Sequence, residues 1–429
     1  MQTSETPTSV DARGRGATGL GAQFDPFQEP YLADPYPFFA RARREEPVFY
    51  SPILDSWVIA RYDDVRRIVT DPVTFSSKNV QSPVRPWPPA AAAMFQAAGL
   101  VVRPSLSATD PPEHTVWRTF LRDAFTPRRV AWLEEHARRL AGEAIAGFAE
   151  RGRADLVKEM FFEVPARVLF TFMGIPDMDV AKVKAWSGGR ALLTWGRLSD
   201  QDILAQLPTF IEYRKYCIEL VERLGREPRD DYTSELIRKL RTEQPEGLSE
   251  EHIVLTVFSL LMAGHETTTN QAGNGIRALL QHPPAWTELA HDPALIPNAV
   301  EEIIRYDSSV ISWRRVTTRE VEMGGIRIPK DAKLLVLLGS ANRDEAHFED
   351  GERLDIRRKN ASQHLSFSAG IHYCIGAPLA RLELRVFLEE LTRRLPGLRL
   401  VDGQRFEYSP NTSHRGPRSL LVEWGSQPR

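Results

Sequence analysis

Phe367-Ser368-Ala369-Gly370-Ile371-His372-Tyr373-Cys374-Ile375-Gly376-Ala377-Pro378-Leu379-Ala380-Arg381 places one of only two cysteines between two glycines, just ahead of a helical run. A helix that starts after Cys374 points its positive end at the sulfur and favours the thiolate. Gly370 and Gly376 let backbone approach a flat ligand closely, and Phe367 is placed to shield the sulfur. These are the needs of an iron-bound thiolate, which wants backbone N–H donors and exclusion of water. Two other readings share the residues. One is a buried structural cysteine, since free Cys is among the most buried residue types. The other is a zinc site through His364, His372 and Cys374, which lacks a fourth ligand and any Cys-x-x-Cys pair.

Outward from this loop, a helix is predicted from about Pro378 to Arg394 and short strands between Leu398 and Trp424. Upstream, residues 320–323 and 326–328 flank Gly324-Gly325, a hairpin signal, and residues 333–338 form a further strand candidate. Helical patterning dominates from about Glu113 to Tyr306. Within it, residues 249–281 read as one helix, with Ser249 as N-cap and Pro283-Pro284 past its end. Such a helix is roughly 50 Å long. Its centre, 258–263, is apolar nearly all round and should be buried. A second helix is predicted over 295–306. Nearer the start come a helix at 36–46, strands at 48–50 and 57–60, and a helix from Asp63. Residues 76–112 are Pro-rich and low in charge, and read as a long irregular lid. Residues 1–23 read as a disordered tail. The expected fold is mostly α with a smaller segregated β region (α+β).

The chain has 429 residues, a length that by itself predicts two or three domains. Lys plus Arg is 55 against 57 for Asp plus Glu, a net charge of -2, so there is no electrostatic footprint for nucleic acid. Cys217 and Cys374 lie too far apart to suggest a disulfide framework. Two thiols and no apolar h-region at the start fit a reducing cytoplasm. The best apolar run, 253–264, is too short to span a bilayer, so no membrane association is expected.

Ala263-Gly264-His265-Glu266-Thr267-Thr268 sits mid-helix, where glycine costs about 1 kcal/mol against alanine. One reading is close helix packing, with the Thr hydroxyls bonding back to carbonyls of the previous turn. The other is a space for a small ligand beside an acid and an alcohol that move protons. Glu302-Ile303-Ile304-Arg305 is a common surface spacing, matched also by Glu135/Arg138, Glu235/Arg238 and Glu390/Arg393. Asp110-Pro111-Pro112-Glu113-His114-Thr115-Val116-Trp117-Arg118 puts His114 and Arg118 at i and i+4 on one helical face.

The Cys374 segment resembles the haem-binding loop of cytochromes P450, Phe-x-x-Gly-x-x-x-Cys-x-Gly, with every fixed position present at Phe367, Gly370, Cys374 and Gly376. Leu379-Ala380-Arg381 looks like the bacterial members. The resemblance spans about 24–426 and implies a single haem domain over 24–429, crossed by the helix at 249–281. It implies haem b with Cys374 as axial ligand, room for O2 at Ala263 and Gly264, and Glu266 and Thr267 as the acid–alcohol pair. His114, Arg118, Arg315 and His372 are implied as propionate partners, because two buried carboxylates need cations. Glu302 and Arg305 take the place of the family's structural Glu-x-x-Arg. The implied substrate lining is Leu106, Ser107, Trp195, Met262, Ala263, Val310, Ile311, Trp313 and Thr412 or Ser413. It fits a mid-sized aromatic or natural product from secondary metabolism.

Residues 24–27, 46–52 and 411–417 look more like the haem domains of self-sufficient enzymes fused to a flavin and iron–sulfur reductase. No flavin-binding segment or Cys-rich cluster motif is present in the sequence. Electrons from NAD(P)H are therefore expected through separate proteins, a ferredoxin or flavodoxin-type donor and its reductase, with the enzyme a cytoplasmic monomer. Two alternatives stay open. The same fold could join C–C or C–N bonds by oxidative coupling without inserting oxygen, or it could serve as a non-catalytic haem sensor or carrier.

Overall fold

A computed structural model describes residues 19–425 apart from Gly188. Its axis is one helix, Glu250–Leu280, 31 residues long and so about 47 Å from end to end. Ser249 caps it as expected. The Ser249 backbone N–H donates to Nδ1 of His252 at 3.1 Å, and Glu250 and Glu251 lie by the positive end. Residues 253–258 are all buried. Helices Val164–Phe172, Asp200–Arg226, Ile296–Tyr306 and Ala377–Arg394 pack around it. Their apolar faces merge into one core that runs from Trp117 through Phe161 and Phe258 to Phe387.

The β structure is set apart from this bundle. A five-stranded sheet runs in the order Val48–Ser51, Ser56–Ile59, Lys333–Val336, Trp313–Thr317, Phe75–Ser76. The one parallel pairing in it joins Ser56–Ile59 to Lys333–Val336. Its apolar face covers Trp57, Val65, Phe75, Leu334 and Phe348. Val321–Met323 and Ile326–Ile328 form the expected hairpin, with Gly324 and Gly325 both at positive φ, as a two-residue turn of this hand requires. Arg153–Asp155, Leu421–Glu423 and Arg399–Leu400 make a small third sheet. The α+β reading holds. Among the described residues, no helix is long and apolar enough to cross a membrane.

Three expectations change. Most of the tail at 1–23 lies outside the described residues, but Leu20–Gln23 forms a helical turn whose Leu20 is buried against Phe24 and Phe49. The segment 76–112 is not irregular throughout. It contains the helix Pro89–Ala97, held by Phe95 against Trp87 and Phe210, and a single turn Leu106–Ala108. The strand Arg153–Asp155 interrupts the stretch read as helical.

Glu302 and Arg305 are fully buried and form a two-pronged ion pair at 2.7 and 2.8 Å. Arg305 also donates to the carbonyls of Asn342, Gly351 and Arg353. Arg358 donates to Glu302. The pair ties the helix Ile296–Tyr306 to the segment that leads to the Cys374 loop.

Candidate active site

Cys374 sits between a tight turn, Gly370–His372, and the helix Ala377–Arg394. Its backbone N–H donates to the Phe367 carbonyl at 2.9 Å, which closes the loop. The sulfur is accessible only in the sense that it faces an internal cavity, with protein packed around it. Burial raises the thiol above its ordinary value. The N–H of Gly376, the Arg118 guanidinium and the N–H of Ala377 work against burial by favouring the thiolate. Phe367 borders the same cavity, with the Arg381 guanidinium 4.7 Å over its ring.

The cavity has a volume of about 290 Å³. Cys374, Phe367 and Gly376 line one side. Met262, Ala263, Gly264 and Thr267 of the long helix line another, and Leu106, Ser107, Trp195, Val310 and Trp313 complete the wall. Trp195 is pinned by its indole N–H to the Val80 carbonyl at 3.1 Å and lies 5.6 Å from Trp313. Gly264 serves two ends. A methyl group there would come within 2.6 Å of a Leu169 side-chain methyl, so the helix Val164–Phe172 packs close enough that any larger residue must push Leu169 aside, and its backbone borders the cavity as well. Thr267 and Thr268 donate to the carbonyls of Ala263 and Gly264, at 2.6 and 3.1 Å. The packing reading of this motif is therefore correct as far as it goes.

Basic groups gather at one edge. His114 and His372 lie 4.3 Å apart, ring to ring, and His372 meets the Ser77 hydroxyl at 2.8 Å. Burial, helped by Arg315, His114 and Arg118, pulls His372 down to about 3. Burial pulls Arg315 down to about 10. Both ring nitrogens of His114 and one Nη of Arg315 are buried without partners. Among the described residues none of His114, Arg118, Arg315 and His372 belongs to an ion pair. A buried guanidinium and buried imidazole nitrogens left without acceptors fit an anion that accepts from them. The zinc alternative finds no support. No group of three or more His, Cys, Asp or Glu able to hold a metal occurs among the described residues, and His364 is turned toward Glu301, 3.4 Å away.

A family model, Cytochrome P450, matches residues 207–396. A vitamin D(3) 25-hydroxylase of Pseudonocardia autotrophica is 35% identical over 409 residues, which cover 94% of this chain and 97% of that protein. The chain belongs to the cytochrome P450 family. Among solved structures, the P450 CREJ in complex with (4-ethylphenyl) dihydrogen phosphate is 38% identical with a TM-score of 0.91, over 94% of this chain and 100% of that one. An intact type IV self-sufficient P450 monooxygenase is 38% identical with a TM-score of 0.92, over 97% of this chain and 55% of that one. This P450 is a monooxygenase that uses O2 and a haem–thiolate centre. The donor set fits that group, with a thiol among N–H donors and, for the haem carboxylates, two arginines outside any ion pair beside two imidazoles.

Five expected residues of this P450 lie elsewhere. Ile311 packs with Leu20, Phe39 and Leu337, because neighbours in extended backbone face opposite ways and Val310 takes the cavity side. Thr412 accepts from Arg314 at 3.1 Å, and neither it nor Ser413 lines the cavity. Gly370 meets backbone of Val69 and Thr70, where a methyl group would fall at 3.1 Å, and its φ is positive. Its glycine requirement follows from that packing and from its backbone conformation. Glu266 opens into a separate pocket, because one residue along a helix turns about 100° and Thr267 already faces the cavity. The sequence reading missed Gln81, Ser105, Leu169, Ser259 and His414, all in the cavity wall. Of these only His414 falls in a stretch the sequence reading singled out, residues 411–417, and nothing there marked it as a site residue.

Proposed function

We propose that this P450 hydroxylates a mid-sized, mostly apolar aromatic or natural-product substrate, with Cys374 as the thiolate ligand of haem b. What carries the reading is the Cys374 sulfur at the floor of the cavity, faced by N–H groups of Gly376 and Ala377. His114, Arg118, Arg315 and His372 would hold the haem propionates. When bound, the haem supplies the activation of O2 that the side chains cannot perform. Around it the chain's residues orient substrate, exclude water and move protons. Trp195, Trp313, Leu106, Val310 and Met262 present apolar surface to the substrate. Gln81 donates to the hydroxyls of Ser105 and Ser107, giving one polar patch for a substrate hydroxyl or carbonyl. Thr267 holds its hydroxyl on the cavity side, and Glu266 supplies protons from the pocket behind it.

We assign electron supply to a ferredoxin or flavodoxin-type donor and its NAD(P)H-dependent reductase, with the enzyme a cytoplasmic monomer and residues 24–429 one haem domain. The test is a screen for compounds that shift the ferric Soret band, followed by reconstituted turnover under 18O2. One labelled oxygen in the product supports hydroxylation. A product that loses hydrogens and gains no label points to oxidative coupling. Haem loading with no substrate-dependent NADH consumption across the screen points to a sensor or carrier.

A further inference from the structure

The acid read from the sequence does not face the cavity it is meant to serve. Glu266 lines a second space together with Asn270, Ser409, Asn411, His414 and Arg418, and Arg418 at its rim is exposed. Its Oε2 is buried with no partner. Its Oε1 lies 3.9 Å from Nδ1 of His414, which is likewise unpartnered. Among the described residues, His414 is the one side chain that borders both this pocket and the Cys374 cavity.

The histidine is held in that dividing position. Its backbone N–H donates to Asn411 Oδ1 at 2.6 Å, and its carbonyl accepts from Asn411 Nδ2 at 2.9 Å. An isolated bridge links it to Val310, and its ring lies 4.6 Å from the Trp195 ring, tilted by 41°. Its side chain is 4% exposed against 21% for Glu266, so the carboxylate is the partner with room to move. A modest rotation of Glu266 turns 3.9 Å into a hydrogen bond. His265 borders the pocket but not the cavity.

We propose that His414 is a proton-relay residue that carries protons from the solvent-facing Glu266 pocket into the Cys374 cavity. The Glu266 carboxyl proton passes to Nδ1 as the proton on the other ring nitrogen leaves toward the cavity, so the imidazole gains one proton and loses one. Glu266 is reprotonated by water in its pocket, and transfer of the Nδ1 proton through water to the other ring nitrogen restores the first tautomer, so one proton crosses per cycle. Each turnover draws two protons from water this way, matching the two electrons from NADH. Imidazole suits the task because its two nitrogens donate and accept at opposite sides.

This proposal rests on the reading of Glu266 as proton source, and the experiment separates the two. In the diamagnetic ferrous–CO holoenzyme labelled with 15N-histidine, Glu266→Gln should move the His414 Nδ1 resonance; a resonance that stays in place overturns the proposal. In turnover, His414→Phe keeps a ring on Trp195 and removes both nitrogens. It should raise hydrogen peroxide per NADH several-fold while the substrate-binding titration changes by less than about twofold. It should add little in a Glu266→Gln background, since residues on one path are not additive. His414→Asn, which retains a hydrogen-bonding group toward Glu266 but no second nitrogen, should uncouple in the same way. If Glu266→Gln uncouples and His414→Phe only raises KM, His414 is a substrate wall and the proposal falls alone. If Glu266→Gln stays coupled, the acid assignment itself falls.

Discussion

Arg305→Lys keeps the buried positive charge and changes only the number and placement of its donors. In the native fold Nε and Nη2 donate to the two oxygens of Glu302, Nη1 donates to the carbonyls of Asn342 and Gly351, and Nη2 reaches Arg353. All five guanidinium N–H groups are therefore in use. An ammonium has three, so at least two acceptors are stranded in a fully buried site. Hydrogen bonds to charged groups are worth about 1.5–3 kcal/mol each, which puts the loss at about 3–6 kcal/mol. Glu302 keeps the Asp355 N–H and Arg358, which favours the lower end. Against a total stability of about 5–15 kcal/mol, the variant should unfold at markedly lower denaturant and shed haem more readily, although Cys374 is untouched. The assay is denaturant unfolding at matched haem occupancy, with the reduced-CO band as a check on the site. A loss under about 1 kcal/mol would refute the counting of donors.

Thr267→Ala removes a hydroxyl from the cavity wall and leaves the haem-side groups alone. It should retain haem and divert reducing equivalents to hydrogen peroxide, and tightly coupled turnover would count against the relay. Ile311→Ala should cost about 2–5 kcal/mol as a core truncation and leave substrate-induced Soret shifts unchanged; a lost shift would return Ile311 to the pocket. His265 is fully buried, and burial pulls it down to about 4. The unfolded chain takes up a proton near pH 6.5 that the folded chain refuses, so stability falls as pH drops from 6.5 to about 4. The loss from this group is at most about 3 kcal/mol. His265→Gln should flatten that slope in acid unfolding, and an unchanged slope would show that the buried imidazole is not its source.

Much of this was legible in the sequence because it is local. The cap at Ser249, the Gly324-Gly325 turn and the helix after Cys374 depend on neighbours a few residues apart, and they appear within a residue or two of where the pattern puts them. The helix Pro89–Ala97 was hidden by the prolines on both sides, although Pro at its first turn followed by four alanines is itself a helix signal. Arg153–Asp155 is too short to show alternation, and its partner strand lies at the far end of the chain. The parallel pairing of 56–59 with 333–336 likewise needs contacts no local pattern encodes. In the site, residue types were readable but directions were not. Adjacent positions diverge by about 100° on a helix and oppose each other in a strand, and this is what sends Glu266 and Ile311 away from the cavity that Thr267 and Val310 face. His414 could not be found by spacing, because its role depends on a wall shared by two pockets.

The account stands on sulfur from residue 374 bound to haem iron. Cys374→Ser, purified with haem and reduced under CO, tests it in one spectrum. The account predicts that the long-wavelength CO band that gives the family its name disappears while the far-UV helical signal stays. The same band persisting in the serine variant would contradict it.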